Sequence, residues 1–187
     1  MRARFESRVP EFQRAALRTI QDDIPRYGRA AMRIAAAPLV IDLLSMEYRI
    51  LETPRDFRID AQTRLQALIT LADLGGAPAR KQLRSTLRDD SDGTIRSSAA
   101  ALLAQVPGGD PELDYRAVGD AVARAVRAGA EDSELQRLIA AAQALSLRVW
   151  NPEYPPLLQA LVQVAGGSYS SSTRNVAMSF LEDLVDR

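Results

Sequence analysis

Asp89, Asp90 and Asp92 crowd together in the stretch RDDSD, and carboxylates so close together are the residue type that holds a hard cation. The stretch lacks the ligand spacing and the closing Glu of a calcium loop, so it reads as a solvated turn. Other carboxylates stand in QDDIP, AED and LEDLVD. The serines of GGSYSSSTR offer nucleophiles, but a serine needs a base to activate it, and the chain has no His. A Ser–Lys dyad would have to use Lys81, the single Lys, which the spacing puts on a solvated helix face. The serine-rich stretch therefore reads as a turn in which a Ser or Thr caps the last helix. The paired glycines of ADLGGAP and PGGDP do not fit a phosphate-cradling loop, and LGGAP reads as a helix stop followed by a proline helix start. Without Cys there is no thiolate chemistry and no disulfide framework, and without His the commonest general base and the commonest metal ligand are missing. The expectation is a protein without catalytic residues, metal or cofactor.

Composition bounds the elements that carry these residues. The 187 residues fit one domain or two small ones, and a hydrophobic fraction of 47% is enough for a substantial core. Aromatics are only 5% while Ala and Leu are abundant, which favours close-packed helices over a β-sandwich. Lys+Arg and Asp+Glu are both 24, so the field of the whole chain is weak, unlike that of most proteins that grip nucleic acid. The near-exclusive use of Arg as the basic residue has a plain explanation in genomic base composition. MRARFESRVPEF has no apolar run behind its basic residues and does not read as a signal peptide. AAAPLVIDLL is too short to span a bilayer. A soluble, cytoplasmic protein with no membrane partner is expected.

Apolar spacing predicts a helix over about Pro10 to Asp22 with Phe12, Ala16, Leu17 and Ile20 on its core face. Pro25 opens a second helix that runs to about Ala36, and Pro38 opens a third with Leu39, Leu43, Met46 and Ile50 as its stripe. ETPRDFRID is a loop. Asp60 caps a helix that Gly75 stops, with Leu65, Leu68, Leu71 and Ala72 inward. Further helices start at Pro78, at Asp92, near Glu112 (running to Arg127), at Ser133 (to Leu147), at Pro156 and at Ser171.

Four of these helices share an order of residues. Asp60 precedes Thr63-Arg64, then Ala67 and Leu71. Asp92 precedes Ile95-Arg96, then Ala99 and Leu103. Asp132 precedes Leu135-Gln136, then Ala140. Thr173-Arg174 precedes Ala177 and Leu181. Aligned on Arg64, Arg96, Gln136 and Arg174 the offsets are 32, 40 and 38 residues, the period of stacked helix pairs. Over residues 38–187 this pattern resembles the HEAT-repeat family. The resemblance implies an all-α, right-handed α-solenoid of about five antiparallel helix pairs, with residues 1–37 as an Arg-rich helical cap. It also implies that Arg96 and Arg64 are structural, each reaching an Asp in an adjacent repeat to form a ladder. On Asp92's helix, Ile95, Ala99, Leu102 and Val106 would face the partner helix.

A solenoid offers a groove lined by its second helices. The polar positions there include Gln62, Gln66, Asp73, Ser97, Gln105, Gln136, Arg137, Gln143 and Asn175; mixed in sign, they suit a protein or peptide partner. Residues 1–36 hold eight Arg against four carboxylates, so Arg14 and Arg18 offer an alternative, basic surface for nucleic acid or an acidic partner. The expected contact set is Gln62, Gln66, Ser97, Gln136, Arg137, Gln143, Arg14 and Arg18. Trp150 and Tyr154, in WNPEYPP, read either as packing over the repeats or as a partner-binding hot spot.

Overall fold

The computed structural model describes residues 5, 7, 9–50 and 59–186; the side chains of residues 46–50 lie outside that set. Among the described residues nine α-helices form and there is no strand. They are α1 (Pro10–Tyr27), α2 (Arg29–Ile50), α3 (Ala61–Leu74), α4 (Gly76–Asp89), α5 (Gly93–Gln105), α6 (Pro111–Arg127), α7 (Asp132–Ser146), α8 (Pro155–Gly166) and α9 (Ser171–Val185). No helix among them is long and apolar enough to cross a membrane.

The first boundaries differ from those the prolines suggest. Pro25 lies inside α1 and Pro38 inside α2. The break comes at Gly28, whose φ of 81° an L side chain rarely adopts. Pro38 and Ile34 are both exposed, so the Ile34 carbonyl that Pro38 leaves without an amide donor stands on the solvent side of α2. The expected boundary at residues 37/38 thus falls inside a continuous helix. The expected loop ETPRDFRID lies outside the described residues up to Arg58, as do the side chains of Met46 and Ile50. The face of α1 is also turned by one residue. Phe12 is 54% exposed and Gln13 takes the core position beside Ala16, Leu17 and Ile20. Gln13 Nε2 donates to the carbonyl oxygens of Ser7 (2.8 Å) and Phe5 (3.4 Å), which ties the preceding segment to α1.

The chain divides into two compact units, Met1–Gln82 and Leu83–Arg187. In the first, α1 packs on α2 and α3, and α2 on α3. Leu17, Ile20, Val40, Leu43, Leu68, Leu71 and Leu74 form its core. Asp60 caps α3 by accepting from the Thr63 amide at 3.0 Å, and Gly75 (φ 66°) ends it. The Arg33 guanidinium donates to the last carbonyl of α3, Leu74 O, at 3.0 Å. It lies so close over Gly76 that a Cβ there would stand 2.8 Å from Arg33 Nε.

In the second unit α5 packs on α7 and α7 on α9, while α6 packs on α8, and α7 and α9 also pack against α6 and α8 respectively. Ile95, Ala99, Leu103, Tyr115, Val118, Val122, Leu135, Ile139, Leu145, Leu161 and Phe180 are buried. Ala99, Ala100 and Ala104 let α5 approach its neighbour closely. Leu102, expected to face inward with them, is only half-buried. Asp92 caps α5 through the amides of Thr94 (2.8 Å) and Ile95 (3.4 Å), as its place before the helix requires. Asp132 does something else. It is the first residue of α7, and its carboxylate crosses to α9, accepting from the Ser170 amide at 2.9 Å and the Thr173 hydroxyl at 2.8 Å. Ser170 in turn caps α9 through the Thr173 amide.

The Asp132 carboxyl is held below its ordinary value of 3.8 by the bonds from Ser170 and Thr173. A group with a lowered folded-state pKa stabilises fully above its unfolded pKa, and that contribution disappears as pH falls through the lowered value. Asp132→Ala should lower the melting temperature at pH 7, and the gap from wild type should close as the pH is taken below about 3.8. Asp92→Ala, which removes a cap, should cost about 1 kcal/mol in urea unfolding.

Candidate functional site

Arg96 joins three parts of the second unit. Its Nε and Nη2 donate to Glu134 Oε1 on α7 at 3.0 and 2.7 Å. Its Nη1 donates to the carbonyl oxygens of Asp90 and Ser91, both at 2.9 Å. One guanidinium therefore closes the turn between α4 and α5 and fixes α5 to α7. Glu134 is buried, and its carboxylate lies directly against Gly93, where any Cβ would collide with Oε2. A cavity of about 390 Å³ opens here, lined by Thr94, Arg96, Gly129, Glu131, Glu134 and Arg137 among others. A smaller one, about 230 Å³, lies on the other side of Arg96 between Leu87, Asp90, Arg124 and Ala125. The first combines Asp92, Glu131 and Glu134 with Arg96 and Arg137, so opposite charges sit together and largely neutralise one another.

The polar residues expected to line a binding groove are mostly engaged by their own chain. In the first unit, Gln66 Nε2 donates to Gln21 Oε1 at 2.6 Å, and Gln21 in turn donates to Asp73 at 2.9 Å. Arg14 pairs with Glu11 (3.1 Å) and Asp60 (3.2 Å). Gln62 and Arg18 are exposed. In the second unit Ser97 is fully buried, with its hydroxyl on Thr94 O at 3.1 Å, and so cannot touch a partner. Gln136 Nε2 donates to the hydroxyls of Ser172 (2.7 Å) and Thr173 (2.8 Å), and Gln143 Nε2 to Asp183 at 2.5 Å. Arg137 is exposed, held at one nitrogen by Ser133 O at 3.0 Å. Within each unit, then, several of these side chains join helix to helix, while Gln62, Arg18, Gln105, Arg137 and Asn175 are exposed to solvent. The three aspartates of RDDSD do not converge. Asp89 is bound by Arg88 and Ser85, and these bonds, Arg88 first, hold its carboxyl below the ordinary value. Asp90 is buried and accepts from the Asp92 amide, while Asp92 turns to its own helix.

The connection between α7 and α8 presents two exposed apolar groups close in sequence. Trp150 is 102% exposed and Leu147 71%. The segment that carries them is pinned at two points. The buried Tyr115 donates its hydroxyl to Pro152 O at 2.6 Å. Tyr154 donates to Asp120 Oδ1 at 2.7 Å, with its ring against Gly119 and the Arg116 guanidinium 5.9 Å from the ring centre. The Asp120 bond raises the Tyr154 pKa, because a phenolate would face a carboxylate, and burial adds to the rise. The sequence pattern marks Trp150 and Tyr154 together; the structure separates them into an anchor, Tyr154, and a displayed ring, Trp150. What singles out Tyr115 is its spacing on the core face of α6; its bond to Pro152 has no local signature.

Compared with known proteins, the chain matches no family model, no curated protein and no solved structure.

The contact between Gly93 and Glu134 generates a coupled prediction. On helix propensity alone, Gly93→Ala should stabilise by up to about 1 kcal/mol. In the wild-type background it should instead destabilise, because the new methyl displaces Glu134 from Arg96. In a Glu134→Ala background, itself about 2 kcal/mol less stable, the same substitution should be neutral or stabilising. Urea melts of the four proteins measure the sign change.

Proposed function

We propose that this chain is a non-catalytic interaction module that binds a protein or peptide partner, built as a right-handed HEAT-like α-solenoid of about five helix pairs. The Asp caps of α3 and α5 and the succession of contacts from α5 to α7 to α9 within the second unit support the architectural part of that reading. The functional part rests on one observation. Trp150 stands wholly in solvent beside an exposed Leu147, on a connection held by the Tyr115–Pro152 and Tyr154–Asp120 bonds. A large ring displayed on an anchored segment loses little conformational freedom when a partner covers it, and Trp is among the residues that dominate interface energies. The partner surface that fits is an apolar pocket with a polar rim, since Arg148, Asn151 and Glu153 are exposed around the pair.

The nucleic-acid alternative depends on the Arg-rich start of the chain. Arg14 is committed to Glu11 and Asp60, Arg26 lies 4.0 Å from Asp23, and Arg33 is committed to Leu74 O. Among the described arginines of that segment, Arg18, Arg26 and Arg29 are exposed.

The test is affinity capture from lysate in the presence of nuclease and moderate salt, followed by direct binding of whatever protein is recovered. Trp150→Ala and Leu147→Ser should each weaken binding about tenfold or more and leave the melting temperature unchanged, because neither side chain packs in the core. Binding that survives both substitutions and is lost on Arg18→Glu, with nucleic acid in the captured material, would replace this reading with the alternative.

A further inference from the structure

The outer face of α9 is self-complementary. α9 turns Thr173, Ala177 and Phe180 inward, and it meets α7 through Asp132–Thr173, Gln136–Ser172 and Gln143–Asp183. At 100° per residue, the side turned away from α7 carries Arg174, Met178, Leu181, Glu182 and Val185, with Arg174 and Leu181 half-buried at its inner edge. Met178 is 48% and Val185 83% exposed, and Glu182 is exposed as well. Neither Arg174 nor Glu182 forms an ion pair with a described residue.

Two regularities on this face point to its occupant. Arg174 holds in α9 the place that Arg96 holds in α5 and Gln136 in α7. Both of those reach forward to the next helix, Arg96 to Glu134 and Gln136 to Ser172 and Thr173. Arg174 is the third of the series, and no described helix packs on its side. Moreover, Arg174 and Glu182 lie four residues before and four after Met178. When a second α9 is laid antiparallel across the first with a two-fold axis at Met178, Arg174 of each copy faces Glu182 of the other. Leu181 and Val185 then flank the two methionines. A face with one charge of each sign placed symmetrically about an apolar centre is what an isologous contact requires.

We propose that this face of α9 binds a second copy of the chain, forming a two-fold dimer centred on Met178 and clamped by two Arg174–Glu182 pairs. The 15 residues of α9 give a contact only about 22 Å long. That puts it in the small, transient class, with a dissociation constant on the order of tens of micromolar.

Sedimentation equilibrium of the full chain from about 1 µM to about 1 mM brackets such a constant. Monomer at the low end and dimer at the high end is the expected result. Arg174→Glu and Glu182→Arg should each weaken the dimer about tenfold or more, and the double exchange should restore it, because the pairs re-form with reversed sign. Met178→Cys gives a chain with one Cys, and mild oxidation should yield a covalent dimer at the axis. Circular dichroism checks that each variant keeps its helix content. Monomer at every concentration overturns the proposal. A dimer indifferent to the single exchanges, or single losses that the double exchange does not repair, overturns it equally, because association would then use another surface.

Discussion

A helix can be packed against its neighbours only if the backbone groups at its two ends find partners, and in this chain carboxylates serve three of the described starts and a serine a fourth, while guanidinium groups serve several ends and turns. Asp60, Asp92 and Asp110 accept amides at the starts of α3, α5 and α6. Arg33 takes the last carbonyl of α3, Arg124 takes Leu87 O in the last turn of α4, and Arg96 takes the two carbonyls that follow α4. Arg64, largely buried, donates to Ile59 O just ahead of α3. The division follows the helix dipole, which favours negative groups at the amino end and positive groups at the carboxyl end. It also gives the arginine bias a physical use. A flat guanidinium with five donors can hold two carbonyls and a carboxylate together, as Arg96 does, whereas an ammonium presents a point charge without that fork.

The same constraint explains which parts of the fold were legible. Caps are local: a carboxylate one residue before a helical stripe, or a glycine just after it, acts on amides and carbonyls within four positions. Asp60, Gly75 and Asp92 could therefore be read from the string and stand as expected. Asp132 looks equally local, but its carboxylate leaves its own helix for one that begins 39 residues later at Ser171. Nothing in its neighbours distinguishes the two uses. Prolines mislead for a related reason. Pro25 and Pro38 signal a break, yet a proline on the solvent side of a helix leaves a carbonyl that water can reach, so the cost of continuing is small beside the apolar burial that Val40, Leu43 and Leu44 gain beyond it. Gln13 displaced Phe12 from the core because its amide could satisfy two carbonyls of the preceding segment, a contact that hydropathy does not register.

The candidate site was the least legible part, for a reason that bears on helical arrays generally. Helical spacing tells which side of a helix a glutamine occupies. It does not tell whether that side faces water or another helix, and in a layered array the same polar row can do either. Gln66, Gln136 and Gln143 face helices. A side chain already hydrogen-bonded at 2.5 to 2.8 Å within the free protein has little left to give a partner, since each new bond requires an old one to break and the exchange is close to neutral. Apolar surface works the other way. Leu147 and Trp150 are largely in solvent in the free protein, so covering them returns most of their hydrophobic contribution. On the proposed reading, binding strength would sit where the polar pattern is silent, on the exposed apolar side chains of an anchored connection, while the polar rows hold helix to helix.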